Sequence, residues 1–296
     1  MKKAMLPSHD CTSNQPARCS GRFRLLLGAM VSLLPSFLKI GIYRHLYGYS
    51  IGRGVRIGAG TFIVGVQSCR IDDGVRIGFG NLFIDIESLE IGHQTRIGHF
   101  NVFRGGRRVT LGEYVTILRG NVFNSGLLND FITPRDPELI LGRGTFVATG
   151  HWIDFTDRVT FGEQCIIGGR ASSLWTHNRQ RTRSVSFGDQ CYLGSDIRVA
   201  PGVEVASQCI ISLGSVLMGR FEEPRTLIMG NPASVSRELT EQDLYHVTRK
   251  TREDLPDPPM LDDENPSNRD YPSSRIRAVA DGVGVRSQSS ALRVTD

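Results

Sequence analysis

None of the six cysteines falls in a CxxC pair, so neither a zinc ribbon nor a thioredoxin-like redox site is encoded. Aromatic residues are few, at 8% of 296, so any core is built mainly from aliphatic side chains. Glycine is frequent but has no three-residue period, which excludes collagen, and 33 glycines are too many for a coiled coil. The apolar run Leu25–Leu38, bracketed by Arg24 and Lys39, has only 14 residues and contains Pro35. A spanning helix needs about 20. No small-residue cleavage site follows it, as a signal peptide requires. Acid is scarce at the start: Asp10 stands against Lys2, Lys3, Arg18, Arg22, Arg24, Lys39 and Arg44, a balance of +6 within a chain whose net charge is +5. A nucleic-acid binder carries its basic stripe on the folded body, so this placement points to an anionic membrane surface and argues against nucleic acid.

A repeat dominates what is present. An aliphatic residue followed by glycine recurs in steps of 20 at Ile51, Ile71 (followed by Asp72), Ile91 and Leu111, again at Leu141, Phe161 and Phe187, and more weakly at Val205, followed by Ala206. Within each repeat the aliphatic returns every six residues, as in Ile51, Ile57, Ile63 and Leu111, Ile117, Phe123. The sixth repeat reads Phe161, Ile167, Ser173. Three six-residue units plus two spare residues describe one turn of a triangular coil. The aliphatic points inward, the glycine beside it permits the tight or positive-φ backbone a corner needs, and the fifth position takes a small buried residue. That position holds Val55, Thr61, Val75, Thr95, Val115, Thr145, Cys165, Ala171, Cys191, Cys209 and Ser215. Thiols at a core phase suit a reducing compartment, and the protein is expected in the cytoplasm. Stacking predicts an asparagine ladder, Asn81–Asn101–Asn121, and a phenylalanine stack, Phe83–Phe103–Phe123. The fold expected is all-β: a parallel β-helix of about eight coils, roughly 38 Å tall at ~4.8 Å per coil.

The pattern aliphatic-Gly-x-x-small-x over residues 51–233 resembles the hexapeptide-repeat acyltransferases. Two stretches are similar to the O-acetyltransferases of exopolysaccharide and capsule biosynthesis: Gly150–Thr156 through Gly168–His177, and Leu193–Gly202 closing with Gly230–Ala233. Leu34–Lys39 also looks like that group's entry helix. The resemblance implies a left-handed helix, a homotrimer, acetyl-CoA as donor substrate with no metal, and a sugar or glycan-lipid acceptor.

Two breaks in register mark candidate functional loops. One is near 124–138, and its role is open; the other inserts Trp175–Arg183. His177 lies outside the repeat phase, and a near-neutral imidazole is a natural base for a sugar hydroxyl. The resemblance supports it, since the family's catalytic histidine sits on such a loop; a solvated loop histidine is the bland alternative. His151 occupies the small-residue phase above Asn121, which makes it a packed core group. The resemblance, through a similar His-x-x-Asp, implies instead that His151 and Asp154 serve the site. Arg179 and Arg181 are candidates for donor phosphates, Arg170 and Trp175 for the acceptor. Gly194 and Gly214, with the turn Gly230, Pro232 and Ala233, would line the donor by resemblance. His93 and His99 suggest a metal site like that of the γ-class carbonic anhydrases, but they lack a ligand spacing with His177.

The organisation expected is a basic segment over 1–21, a helix over 22–50 that caps the solenoid or contacts a membrane's inner face through 22–46, the β-helix over 51–233, a helical segment over 234–254, and a disordered tail over 255–296. The activity expected is acyl-CoA-dependent O-acylation of a glycan precursor; a non-catalytic scaffold in a glycan assembly complex is the competing class.

Overall fold

The computed structural model describes residues 28–126 and 135–248. The expectations for 1–21 and 255–296, and the centre of the 124–138 loop, lie outside the described residues.

Residues 50–230 wind into a β-solenoid with three faces. The first face stacks nine short strands, from Ser50–Ile51 to Arg220–Phe221. The second stacks ten, from Arg56–Ile57 to Ala233–Glu238, and the third eight, from Phe62–Val64 to Val216–Leu217. All pairs are parallel except the last, Thr226–Gly230 with Ala233–Glu238. The eight expected coils are therefore followed by a ninth, partial one carrying Phe221 and Ile228, both buried.

Alternation fixes which side chains point inward. Ile63, Phe83, Phe103, Phe123 and Ile153 are in register along the third face and no more than 1% exposed. Phe83, Phe103 and Phe123 stack with centroids 4.8 and 4.5 Å apart and planes within 8°. Each buried phenyl contributes about 2–3 kcal/mol through the apolar area it removes from water. The asparagine ladder forms beside them. Asn101 Nδ2 donates to Asn81 Oδ1 at 3.0 Å, and Asn121 Nδ2 to Asn101 Oδ1 at 3.1 Å. Each side chain also donates to a carbonyl of the next coil, those of Gly98, Leu118 and Ala148.

Of the two backbone demands expected of the glycine beside the inward aliphatic, the tight one is met. Gly58 and Gly98 are not in the left-handed region; the corner's positive φ falls two residues later, at Gly60 and Phe100. What demands glycine is close approach: a Cβ on Gly58 would lie 2.5 Å from the Gly78 carbonyl, and one on Gly98 would lie 2.2 Å from Leu118 O.

The open edge of the first coil is closed by the preceding helical segment. Residues 28–33 are helical, Pro35 interrupts, and helix α1 (Ser36–His45) follows. Proline has no N–H and disfavours helical geometry at the residue before it, so the single helix expected becomes two. Their side chains and backbone reach groups that a further coil would otherwise pair. Arg44 donates to Ile51 O and Gly52 O, and Lys39 Nζ to Gly58 O. Ser36 Oγ accepts from Ile57 N, and Ser32 O from Gly60 N. At the other end, where a helical segment over 234–254 is expected, the chain first makes the strand Ala233–Glu238. Helix α2 (Glu241–Val247) then starts at a Thr240/Asp243 capping box.

Candidate active site

The site lies on the third face where the sixth coil departs from the repeat. Between the second-face strands Phe146–Thr149 and Ile166–Arg170 the register slips, so Thr149 pairs with Arg170 rather than Gly169. Gly169 takes φ +61° there, and a Cβ would lie 1.7 Å from Ser195 Oγ, so only glycine fits. This one-residue bulge corrects the expected phase: Leu174, not Ser173, points inward opposite Ile153. Likewise Ser172, not Ala171, is the small buried residue, while Ala171 sits exposed at φ +63°.

The inserted Trp175–Arg183 segment is a tight hairpin. Asn178 Oδ1 accepts from the N–H groups of Gln180 and Arg181, both at 2.8 Å. Backbone bonds from Asn178 N to Arg181 O and from Arg183 N to Thr176 O close it, with His177 bridged to Thr182. His177 is therefore presented from a clamped turn.

Asp154, on the third-face strand Trp152–Asp154, is 1% exposed and fully engaged. Its Oδ1 accepts from Thr156 Oγ1 at 2.7 Å. Its Oδ2 accepts from Thr176 N at 3.1 Å, Thr176 Oγ1 at 2.8 Å and His177 Nδ1 at 2.8 Å. A carboxylate only accepts, so Nδ1 carries the imidazole proton and the basic lone pair is on Nε2. His177 lines a pocket of about 440 Å³ with Trp175, Asn178 and Arg198; Val199, Ala200, Pro201, Val216 and Met218 make its wall apolar. Trp175 lies beside Trp152, ring centroids 6.0 Å apart, and both are about 40% exposed.

His151 is not part of this arrangement. It is 1% exposed in the solenoid interior, its backbone N–H caps the asparagine ladder at Asn121 Oδ1, and its Nδ1 accepts from Ser172 N at 3.2 Å. Burial pushes its pKa down to about 4, so it is neutral at pH 7. Its side chain packs where the core reading of the sequence put it.

Arg179 and Arg181 are exposed on the hairpin's turn, and Arg170 is exposed at the end of its second-face strand. Gly194 is buried against Leu213, and Gly214 takes φ +72° in the following coil. Gly230, Pro232 and Ala233 form the reversal between the last two strands, with Asn231–Pro232 cis. None of these eight lines the pocket beside His177. Sequence reasoning missed Arg198 and the wall Val199–Pro201, Val216 and Met218. Their signal was positional: these stretches stack directly above Ser173–Leu174 in the next two coils. Arg198 is tied to Ala171 O at 2.6 Å and to Asp196 at 2.7 Å. His93 and His99 stand apart, His93 edge-on to Tyr114 and His99 stacked on Phe79. Among the described residues no group of three His, Cys, Asp or Glu side chains is disposed to hold a metal ion.

No family model and no curated protein sequence matches the chain. Among solved structures, the chain is similar to the UDP-N-acetylglucosamine acyltransferase of Campylobacter jejuni, at 19% identity over 68% of this chain and 78% of that one, with a TM-score of 0.49. It is similar to the polysialic acid O-acetyltransferase OatWY at 17% identity over 74% and 98%, with a TM-score of 0.43. A hexapeptide-repeat acetyltransferase of Vibrio cholerae, solved with acetyl coenzyme A, is similar at 13% identity over 75% and 88%, with a TM-score of 0.33.

Proposed function

We propose that this protein is an acyl-CoA-dependent O-acyltransferase, with acetyl-CoA as donor substrate, that modifies a sugar hydroxyl of an exopolysaccharide, capsule or lipopolysaccharide precursor. The observation that carries the reading is the Asp154–His177 pair, clamped by a hairpin at the mouth of an apolar pocket. His177 Nε2 takes the acceptor hydroxyl's proton as the oxygen attacks the thioester carbonyl. The tetrahedral intermediate collapses with cleavage of the C–S bond, and the imidazolium returns its proton to the departing thiolate. The products are the sugar ester and coenzyme A, with no acyl-enzyme. Asp154 fixes the ring's tautomer and stabilises the transient positive charge. The apolar wall suits the donor's pantetheine arm. Arg179 and Arg181, within four residues of His177, are assigned the donor's phosphates, and Trp175 and Arg170 the acceptor.

The protein is proposed to act as a homotrimer. Supporting this, the outward row of the third face is apolar through five successive coils, Phe62, Leu82, Val102, Val122 and Trp152, and leads directly to the pocket. It is proposed to work in the cytoplasm against the inner face of the membrane, contacting it through 22–46, where Met30, Leu33 and Phe37 are each more than 70% exposed. The full chain should float with anionic vesicles, and Phe37→Glu should abolish flotation; equal flotation of the variant would remove the contact.

The central test is thiol release from acetyl-CoA with a crude glycan precursor as acceptor. His177→Ala should lower turnover by about a hundredfold or more, with coenzyme A binding kept. Undiminished turnover in the variant overturns the reading.

A further inference from the structure

The outward positions of the first three coils on the second face are all arginine. Arg56 pairs laterally with Arg76, and Arg76 with Arg96. All three are exposed, and none has an ion pair or side-chain hydrogen bond among the described residues. Other arginines of the solenoid pair with acids: Arg53 meets Asp73, Arg70 meets Asp72, Arg107 and Arg158 meet Asp136, and Arg220 meets Glu204. Like charges directly opposite one another weaken a sheet, and these repeat at the coil spacing of about 4.8 Å. The surface around them is bare, because the same-side neighbours along the strands are Gly54, Gly58, Gly74, Gly78, Gln94 and Gly98.

One edge of this column is an exposed aromatic corner. Phe79 stacks on His99, centroids 3.8 Å apart, and meets Phe100 edge-on at 5.2 Å. His99 Nδ1 accepts from Phe79 N at 3.1 Å, so its proton is on Nε2. Arg119 stands one coil above His99, exposed and likewise without a partner among the described residues.

We propose that this column and its aromatic corner form a binding ridge for a linear, carboxylate-bearing glycan. The proposal rests on the acyltransferase reading for its meaning and deepens it, by naming the acceptor's chemical class. A guanidinium grips a carboxylate through two parallel N–H donors, and one arginine per coil matches one carboxylate per pyranose in an extended chain. The exposed rings of Phe79 and Phe100 offer apolar surface to the C–H faces of sugars. His177 lies three coils above Arg96, about 15 Å along the axis, a span of a few sugar residues.

The test is fluorescence anisotropy of a fluorescein-tagged oligogalacturonate with the full chain and no acyl donor. The wild type should bind, binding should weaken as salt rises, and a neutral oligoglucan should not bind. Arg76→Gln/Arg96→Gln should weaken binding by about tenfold or more, while its melting temperature stays equal or rises as like-charge repulsion is relieved. Equal uronate binding by the variant overturns the ridge. So does tighter binding of a single-stranded oligonucleotide of equal charge, or a change in the variant's mass by light scattering, which would make the column a subunit contact. Because no acyl donor is present, column-dependent binding without coenzyme A release in a separate assay overturns the acyltransferase reading alone; transfer with column-independent binding overturns the ridge alone.

Discussion

Asp154 accepts four hydrogen bonds through two oxygens, and all four donors come from Thr156, Thr176 and His177. Replacing it with asparagine turns one acceptor into a donor facing donors already in place. Either the amide points its NH2 at Thr176 and His177, or it gives up Thr156. In the first case Nδ1 must become the acceptor, which moves the proton to Nε2 and removes the base. Asp154→Asn should therefore lower kcat by about a hundredfold or more with little change in KM for the donor. Steady-state kinetics checks this, and an unchanged kcat would dissociate Asp154 from the chemistry. His151, three residues earlier, has the opposite fate because its ring turns inward. Its folded-state pKa, about 4, is below the ordinary value of 6.5. The unfolded chain thus binds the extra proton first, and the stability from keeping this ring neutral is complete above pH 6.5 and lost as pH falls towards 4. The loss is of order 3 kcal/mol. Asparagine suits the site, since it occupies this phase in the three coils below. His151→Asn should therefore lose less stability than wild type between pH 7 and pH 4 in urea titrations. Parallel curves would refute the assignment.

The asparagine ladder and the bulge show how far elements can be read from sequence. The ladder was legible because identical residues recur exactly one coil apart, and a parallel stack with one register allows only one placement. Asn101→Leu keeps the branched shape but strands Leu118 O and Asn121 N, each served by the Asn101 side chain. It should cost about 3 kcal/mol, read as a lower urea midpoint; a shift within error would show that the amides are not structural. The bulge was not legible. Gly168-Gly169 looks like any glycine pair in a glycine-rich chain. Its meaning comes from contact with Ser195, a residue of the next coil. That slip placed Ser173 and Ala171 one position out of phase, though it left the His177 insertion recognisable as extra length. The pocket wall was equally hidden, since Val199–Pro201 and Val216 look like ordinary coil residues until they are stacked above the hairpin. The basic column at Arg56, Arg76 and Arg96 could have been seen in the repeat, but a charge count that assigned the whole excess to the first 50 residues concealed it. Acids elsewhere balance these arginines in number without neutralising them in space.

At the scale of the solenoid, the inward positions are alike on every face and carry the fold, so the outward positions are left to carry function. They differ sharply. The outward row of the first face is mostly polar, with Ser50, Arg70, Glu90 and Thr110 in its early coils; the second begins with the arginine column. The third presents Phe62, Leu82, Val102 and Val122, all half-buried within one chain. A solvated sheet face gains nothing from such a row, whereas burial against a second copy removes it from water at about 25 cal/mol per Å². These side chains point away from the core, so a charge placed among them leaves the interior intact. Leu82→Glu/Val102→Glu should keep the β-rich circular dichroism spectrum while light scattering reports a fall from trimer to monomer. If the site needs the neighbouring copy to complete its cleft, thiol release should fall with the same concentration dependence as dissociation. A variant that keeps the wild-type mass would show that subunits do not meet on this face, and a monomeric variant with full turnover would show that one chain suffices for the chemistry.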